Sequence, residues 1–263
     1  MDFYEEDVQC LQILRKTCSL RPCPISGRIG FFGAGFSLRF FVQGKDSWLL
    51  HCEEIIMDTF WAESWKSIDP KRIAEYVKSM DMAPDDMILI LRQHQAKTVC
   101  DAGCGCGIYC AKLLRNGFSV FGFDVSEDAV QIAKRNAPEA ELKTADIRMT
   151  GYDSDSFDAV ISRDVLDHMT KENAQLALRE LYRIVKPGGI AIFTLDFPDE
   201  EYGKEPHEKN ADGDFVYTSG KWAGMVFHPY TYEEIKQILP KKAKYTIVQN
   251  NDHFFVTLRK QEK

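Results

Sequence analysis

Residues 98–114 read TVCDAGCGCGIYCAKLL, which is a short apolar strand, a glycine-rich loop and the start of a helix. Gly103, Gly105 and Gly107 alternate with other residues directly between the strand and the helix. A glycine has no Cβ to keep a ligand away from the backbone, and a helix N-terminus offers unpaired N–H groups. The stretch therefore predicts a loop against which a ligand lies.

Asp101 comes just before these glycines, at the end of the predicted strand. The dinucleotide-binding fingerprint is G-x-G-x-x-G and places pyrophosphate on the helix N-terminus. The loop here is G-x-G-x-G and carries a carboxylate, which repels pyrophosphate and attracts an ammonium group. We therefore expect a ligand with a positively charged amine.

The same stretch holds four cysteines, Cys100, Cys104, Cys106 and Cys110. Structural zinc sites favour pairs of cysteines separated by two to four residues, with the pairs set well apart along the chain. Here Cys100 and Cys104, and likewise Cys106 and Cys110, are separated by three residues, but the two pairs are not set apart, and the four residues are divided among a strand, a loop and a helix. We predict thiols and no bound metal, with Cys104 and Cys106 near the ligand.

Beyond the loop, apolar strand patterns alternate with helical ones. FSVFGFD, AELKTAD, SFDAVISRD and GIAIFTLD read as further strands, and KAKYTIVQNNDHFFVTLRK as a terminal hairpin. Strands that alternate with helices indicate βαβ units, and short apolar runs suit strands buried on both faces. The sequence predicts an α/β fold, a Rossmann-like doubly wound sheet that is mostly parallel with an antiparallel C-terminal hairpin strand.

Capping residues and prolines predict where helices begin and end. Pro70 suits a first helical position, and Pro84 marks a second helix start. Pro187 is expected to stop a long helix. The predicted N-caps are Asp69, Ser126 and Thr170.

Acidic residues follow two further strands. Asp124 stands about 20 residues beyond the glycines, where an acidic side chain takes the hydroxyls of a ribose. Asp124 as a helix cap is the alternative, but Ser126 fills that role. Asp146 can accept a hydrogen bond from an exocyclic amine, although Asp after a strand is also common in turns. An amine, a ribose and a base with an exocyclic amine describe S-adenosylmethionine.

The segments VCDAGCGCGIY, VFGFDVSEDAVQIAK, TADI, FDAVISRDVLDHM and LYRIVKPGGIAIFTL, in this order, resemble the class I S-adenosylmethionine-dependent methyltransferases. The similarity covers roughly residues 57–260 and is nearest to the small-molecule branch with the ubiquinone and menaquinone methyltransferases. It implies a seven-stranded sheet with a reversed last strand, and S-adenosyl-L-methionine as cofactor. Asp167 stands where the family often has Glu.

The resemblance also carries roles to individual positions. Asp101 would face the amino group of the methionine moiety, and Arg163 would pass close to the same moiety. The glycine loop, with Cys104, would support the cofactor. Asp124 would hold the ribose, and Asp146 with Ile147 would frame the adenine. Val125 would be a further cofactor contact.

Methyl transfer from a sulfonium is an in-line displacement with a neutral leaving group, so the protein mainly aligns the acceptor and excludes water. If a general base is needed, His168 and His228 are the candidates. The alternatives are a supporting role for His168 and an exposed, inert one for His228. A non-catalytic cofactor-binding protein and a nicotinamide-dependent oxidoreductase stay as other function classes, the latter disfavoured by Asp101 and the loop spacing.

Residues 196–231 interrupt the alternation and are predicted to form a lid over the acceptor pocket. Aromatic residues there and in the helix after Met57 suit a small, partly apolar acceptor, while packing of the lid is the alternative for any one of them. The candidate acceptor contacts are Trp61, Trp65, Trp222, Phe227 and Tyr230.

Residues 1–56 lack the periodicity of the rest and read as an N-terminal extension of doubtful structure. A mis-assigned start before Met57 and a genuine extension both stay open, and residues 57–263 are expected to form the methyltransferase domain, with N-terminal cap helices.

The formal net charge of −7 disfavours nucleic acid as a partner. No apolar run is long enough for a membrane span, and the expected location is the cytoplasm. A small-molecule acceptor is the expected partner, and the oligomeric state is not fixed.

Overall fold

The fold comes from a computed structural model that describes residues 59–197, 204, 206–250 and 253–262. The expectations for residues 1–56 lie outside these residues. None of the described helices is both long and apolar enough to cross a bilayer.

The described residues contain ten strands, which form two sheets. In chain order they are β1 Thr98–Ala102, β2 Ser119–Asp124, β3 Glu141–Thr144, β4 Phe157–Ser162, β5 Val185–Asp196, β6 His207–Lys209, β7 Phe215–Tyr217, β8 Val226–Phe227, β9 Lys244–Gln249 and β10 His253–Arg259. The large sheet has seven strands in the order β3-β2-β1-β4-β5-β10-β9. Strands β1 to β5 pair in parallel, and β10 is antiparallel to both of its neighbours. The predicted fold class is confirmed.

Within the part of the chain that the structure describes, seven helices pack on this frame. They are α1 Thr59–Ser64, followed by a 3-10 turn at Trp65–Ser67, then α2 Pro70–Ser79, α3 Asp86–Gln93, α4 Ile108–Arg115, α5 Glu127–Asn136, α6 Lys171–Ile184 and α7 Tyr232–Ile238. The three predicted N-caps are confirmed, because each side chain accepts a hydrogen bond from a backbone N–H in the first turn. They are Asp69, Ser126 and Thr170.

Two predicted helix ends were wrong. Helix α3 begins at Asp86 and not at Pro84, because Asp85 caps it by accepting from the Ile88 N–H. Helix α6 ends at Ile184, three residues before Pro187, which lies within β5. At this end the ammonium of Lys260 donates hydrogen bonds to the carbonyl oxygens of Tyr182, Arg183 and Val185. A tertiary contact therefore satisfies the end of the helix that the proline was expected to terminate.

The core lies on both faces of the large sheet, and the alternation of side chains along each strand divides it. Cys100 and Val160 belong to a cluster with residues of α6 and α7. Their neighbours Val99 and Ile161 belong to a second cluster with residues of α3, α4 and α5. Helices thus cover both faces, and the loops that follow β1, β2 and β4 leave the same edge of the sheet, at the carboxyl ends of these parallel strands.

The segment predicted as a lid has regular structure of its own. Strands β6, β7 and β8 form a small antiparallel sheet. Buried Tyr217, Met225 and Phe227 make an apolar cluster there, and Phe60 and Trp61 of α1 pack against it. Helix α1 and the small sheet are therefore in contact.

Candidate functional site

The glycine loop joins β1 to α4 and has left-handed backbone at each glycine. The φ angles are +78° at Gly103, +49° at Gly105 and +80° at Gly107. An added Cβ would lie 2.5 Å from Cγ2 of Val165 at Gly103, and 2.9 Å from Cα and Cβ of Ala133 at Gly107. Close packing within the protein is thus a reason for two of these glycines. At Gly105 the nearest atom to such a Cβ is in the Trp65 ring, 3.2 Å away.

Asp124 ends β2 beside this loop, and its carboxylate already binds the backbone. Oδ2 accepts from the Gly105 N–H at 2.8 Å, and Oδ1 accepts from the Ser126 N–H at 2.9 Å. The side chain is buried, which raises its pKa, while these N–H groups lower it. A carboxylate has about four acceptor positions, so two are left for the hydroxyls of a ligand. Val125, next in the chain, is half-buried.

Asp101 is buried at the end of β1. Its Oδ2 accepts a hydrogen bond from the Cys110 thiol at 3.2 Å. Burial, with a smaller contribution from Asp124, raises its pKa, Cys110 and Arg163 lower it, and together these groups leave the pKa at about 7. An unpaired carboxylate in this position is destabilised by desolvation, and a cation would stabilise it. The sequence analysis named Cys110 only as one of four thiols and did not predict its contact with Asp101. Its position in the first turn of the helix after the loop is compatible with this contact.

Arg163 follows β4, the strand next to β1. Its guanidinium lies 4.6 Å from the centre of the Tyr109 ring and 4.0 Å from a carboxylate oxygen of Asp164. Its Nε is buried and has no hydrogen-bond partner in the described part of the chain. A positive and a negative side chain therefore stand at the ends of two adjacent strands. Nothing in the sequence pattern singled out Tyr109.

Asp146 follows β3, and its carboxylate is held by a neighbour. Arg148 Nη2 lies 2.6 Å from Oδ2, and the same arginine reaches Oδ1 of Asn173 at 3.1 Å. Burial raises the pKa of Asp146, but the hydrogen bonds from Arg148 leave it below the usual range. An exocyclic amine would thus share an acceptor that is already paired, which disfavours the role predicted for Asp146. Ile147 is buried against the core beside it.

His168 lies between α1 and the small sheet. Its ring centre is 4.9 Å from that of Trp61 and 5.7 Å from that of Phe227. Trp222 joins the same group through Phe60, at 6.4 Å between ring centres. Four of the predicted residues therefore come together here. Trp65 lies instead against the glycine loop, where its ring faces Gly105.

His228 and Tyr230 are placed differently from the predictions. His228 is 1% exposed, and its Nδ1 lies 2.7 Å from Oδ1 of Asp214. Asp214 also accepts from the Lys171 N–H and from the Asn210 amide. The exposed position considered as the alternative for His228 is wrong, because His228 lies in a buried network that joins the small sheet to the start of α6. Tyr230 is fully buried and packs edge-on against His228, and the catalytic role of His228 and the acceptor contact of Tyr230 stay predictions.

The four clustered cysteines are buried and free of disulfides. Within the described ranges, no three His, Cys, Asp or Glu side chains are grouped so as to hold a metal ion.

The family model and two curated relatives that match this chain are all described as methyltransferases. Residues 100–193 match the family model described as a methyltransferase domain. A ubiquinone biosynthesis O-methyltransferase of Alkalilimnicola ehrlichii is 33% identical over 105 residues, which is 38% of this chain and 42% of that protein. A protein of the same name from Coxiella burnetii is 30% identical over 104 residues, 38% of this chain and 44% of that one. The chain thus spans less than half the length of these curated relatives.

Solved structures match over more of the chain at lower identity. A SAM-dependent methyltransferase from Methanosarcina mazei has a TM-score of 0.57 at 19% identity, covering 68% of this chain and 99% of the other. SAM-bound CalS10, an amino pentose methyltransferase from Micromonospora echinaspora, has a TM-score of 0.54 at 15% identity, covering 73% and 97%. The resemblance inferred from the motifs is confirmed. Residues 100–193 match the methyltransferase domain family, and the chain has the fold of the class I S-adenosylmethionine-dependent methyltransferases.

Proposed function

We propose that this protein transfers a methyl group from S-adenosylmethionine to a small-molecule acceptor. The observation that carries the proposal is the pair Asp101 and Arg163, a buried carboxylate and a partly buried guanidinium at the carboxyl ends of adjacent strands. Ligands of open α/β sheets bind at this edge. The free amino-acid end of S-adenosylmethionine carries an ammonium and a carboxylate, which complement these two charges.

The remaining contacts follow from the loop geometry. Asp124 would receive the ribose hydroxyls at the acceptor positions that Gly105 and Ser126 leave free. Val125 and Ile147 offer apolar surface near the base, and Cys104 lies on the loop below. S-adenosylmethionine supplies a methyl group on a sulfonium, whose departure leaves a neutral thioether. The protein therefore contributes alignment and exclusion of water more than bond polarisation.

The acceptor would lie under Trp61, Trp222 and Phe227. These aromatic side chains give the pocket a partly apolar surface and suit a planar molecule. His168 touches two of them and is the residue we assign as general base, since it reaches the pocket while His228 is bound to Asp214. The two relatives reported above are O-methyltransferases by name. An acceptor hydroxyl, which loses a proton on methylation, is consistent with such a base.

The experiment is a screen of small hydroxylated metabolites for release of S-adenosylhomocysteine, read by mass spectrometry. We expect turnover with at least one planar acceptor. His168→Gln should lower turnover without changing cofactor affinity, and His94→Gln, on the exposed end of α3, is the matched control. Failure to bind either form of the cofactor would refute the proposal. Binding without turnover across the whole screen would support a non-catalytic binding protein instead.

A further inference from the structure

The first turn of α4 brings Cys110 against the end of β1. Its Sγ lies 3.2 Å from Oδ2 of Asp101, and both residues are buried, at 0% and 3% exposure. An ionised carboxylate only accepts hydrogen bonds, so the thiol is the donor. The backbone N–H of Cys110 acts on the same carboxylate. Cys110, which lies outside the glycine motif, thus holds the Asp101 side chain in place at the start of the glycine loop.

We propose that Cys110 is a positioning residue, whose thiol holds the carboxylate of Asp101 ionised and oriented toward the amino group of the cofactor. This inference rests on the proposed function, because it assumes that Asp101 receives that amino group. It assigns to Cys110 no contact with the cofactor. The thiol acts through Asp101.

The charges around Asp101 determine the direction of the effect. Asp124, from the end of β2, disfavours the ionised form, and Arg163, from the end of β4, favours it. Four neighbouring thiols also interact with Asp101, namely Cys100 on β1, Cys104 and Cys106 on the loop, and Cys110 on α4. Since Cys110 lowers the pKa of Asp101, its removal raises that pKa, and binding of a cation then needs a higher pH. Serine at the same position donates a stronger hydrogen bond and lowers the pKa.

The expected size follows from the pKa of about 7. Affinity for an ammonium ligand scales with the ionised fraction of Asp101, which is about 0.1 at pH 6 and about 0.9 at pH 8, so affinity should rise roughly tenfold over this range. If Cys110→Ala moves the midpoint up by about one pH unit, binding at pH 7 becomes about fivefold weaker. Cys110→Ser should return the midpoint to the wild-type value or below it.

The test is calorimetry of S-adenosylhomocysteine binding between about pH 6 and pH 8, on wild type, Cys110→Ala and Cys110→Ser. Leu113→Val is the matched control, because it removes a buried carbon from the same helix and its side chain cannot hydrogen-bond to Asp101. We expect a raised midpoint in Cys110→Ala alone. Equal midpoints in wild type and Cys110→Ala would overturn the inference, since a purely structural role lowers affinity at every pH alike.

A second measurement separates this inference from the proposed function. Carbon-13 NMR follows the Asp101 carboxyl carbon against pH in the cofactor-free protein, with Asp101→Asn for assignment. A higher midpoint in Cys110→Ala and a lower one in Cys110→Ser support the role of Cys110 whether or not the cofactor binds. An unchanged midpoint in both variants refutes the role of Cys110. A wild-type protein that does not bind the cofactor refutes only the proposed function.

Discussion

Replacing Gly107 with alanine tests whether packing within the protein requires the loop glycines. Gly107 has φ +80°, and an added Cβ would lie 2.9 Å from Cα and Cβ of Ala133 in α5. Gly117, just after α4, has φ +87° with no heavy atom within 4 Å of such a Cβ. Both alanine variants impose a left-handed backbone, but only Gly107→Ala adds a collision. The pair therefore separates backbone strain from packing.

The magnitudes follow from these two contributions. A left-handed conformation costs a non-glycine residue about 1–2 kcal/mol, and this cost is common to both variants. Forcing an extra carbon into a packed contact costs about 1–3 kcal/mol more. We expect Gly117→Ala to lower the free energy of unfolding by about 1–2 kcal/mol and Gly107→Ala by about 2–5 kcal/mol. At about 2–4 °C per kcal/mol, Tm should fall clearly further for Gly107→Ala.

Urea unfolding followed by circular dichroism measures both free energies, and scanning calorimetry gives Tm. Gly107→Ala should be the less stable variant in cofactor-free protein, because the collision needs no ligand. Equal losses in the two variants would show that α5 yields to the added carbon, and the packing explanation for Gly107 would then be wrong. If the free energy of unfolding falls only in the presence of cofactor, Gly107 is required for contact with the ligand and not for packing against Ala133.

Three further predictions concern the site, its cover and the response to acid. Asp124→Ala should weaken S-adenosylhomocysteine binding by about 1–3 kcal/mol, because its hydrogen bonds to the loop and to the ribose are lost; calorimetry at wild-type affinity would remove it from the site. Trp222→Ala should lower acceptor turnover more than cofactor affinity, and an equal loss of both would mean that Trp222 serves folding. Despite burial, Lys186 lowers the pKa of Asp158 to about 2, and Arg183 does the same for Glu180. Their folded-state pKa values lie below the unfolded values near 4, so stability is present above about pH 4 and is lost toward pH 2; a urea midpoint that is constant over this range would contradict the sign.

The sequence alone determined the layers of the fold and the place of the candidate site. Strand and helix patterns alternate with periods set by backbone geometry, and Asp69, Ser126 and Thr170 cap helices through hydrogen bonds to N–H groups two or three residues away. Glycines between a strand and a helix likewise predict a binding loop from local chemistry. These features depend on neighbours in the chain, and for that reason they can be inferred without coordinates.

Tertiary structure decided which partner each functional side chain has. Asp101 meets Cys110 across the loop, Gly107 meets Ala133 of another helix, and His228 pairs with the buried Asp214. A side chain's pKa, burial and orientation depend on groups that the sheet order and helix packing bring together. The spacing of residues along the chain does not specify those contacts, because many distant residues could fill each position until the core has packed.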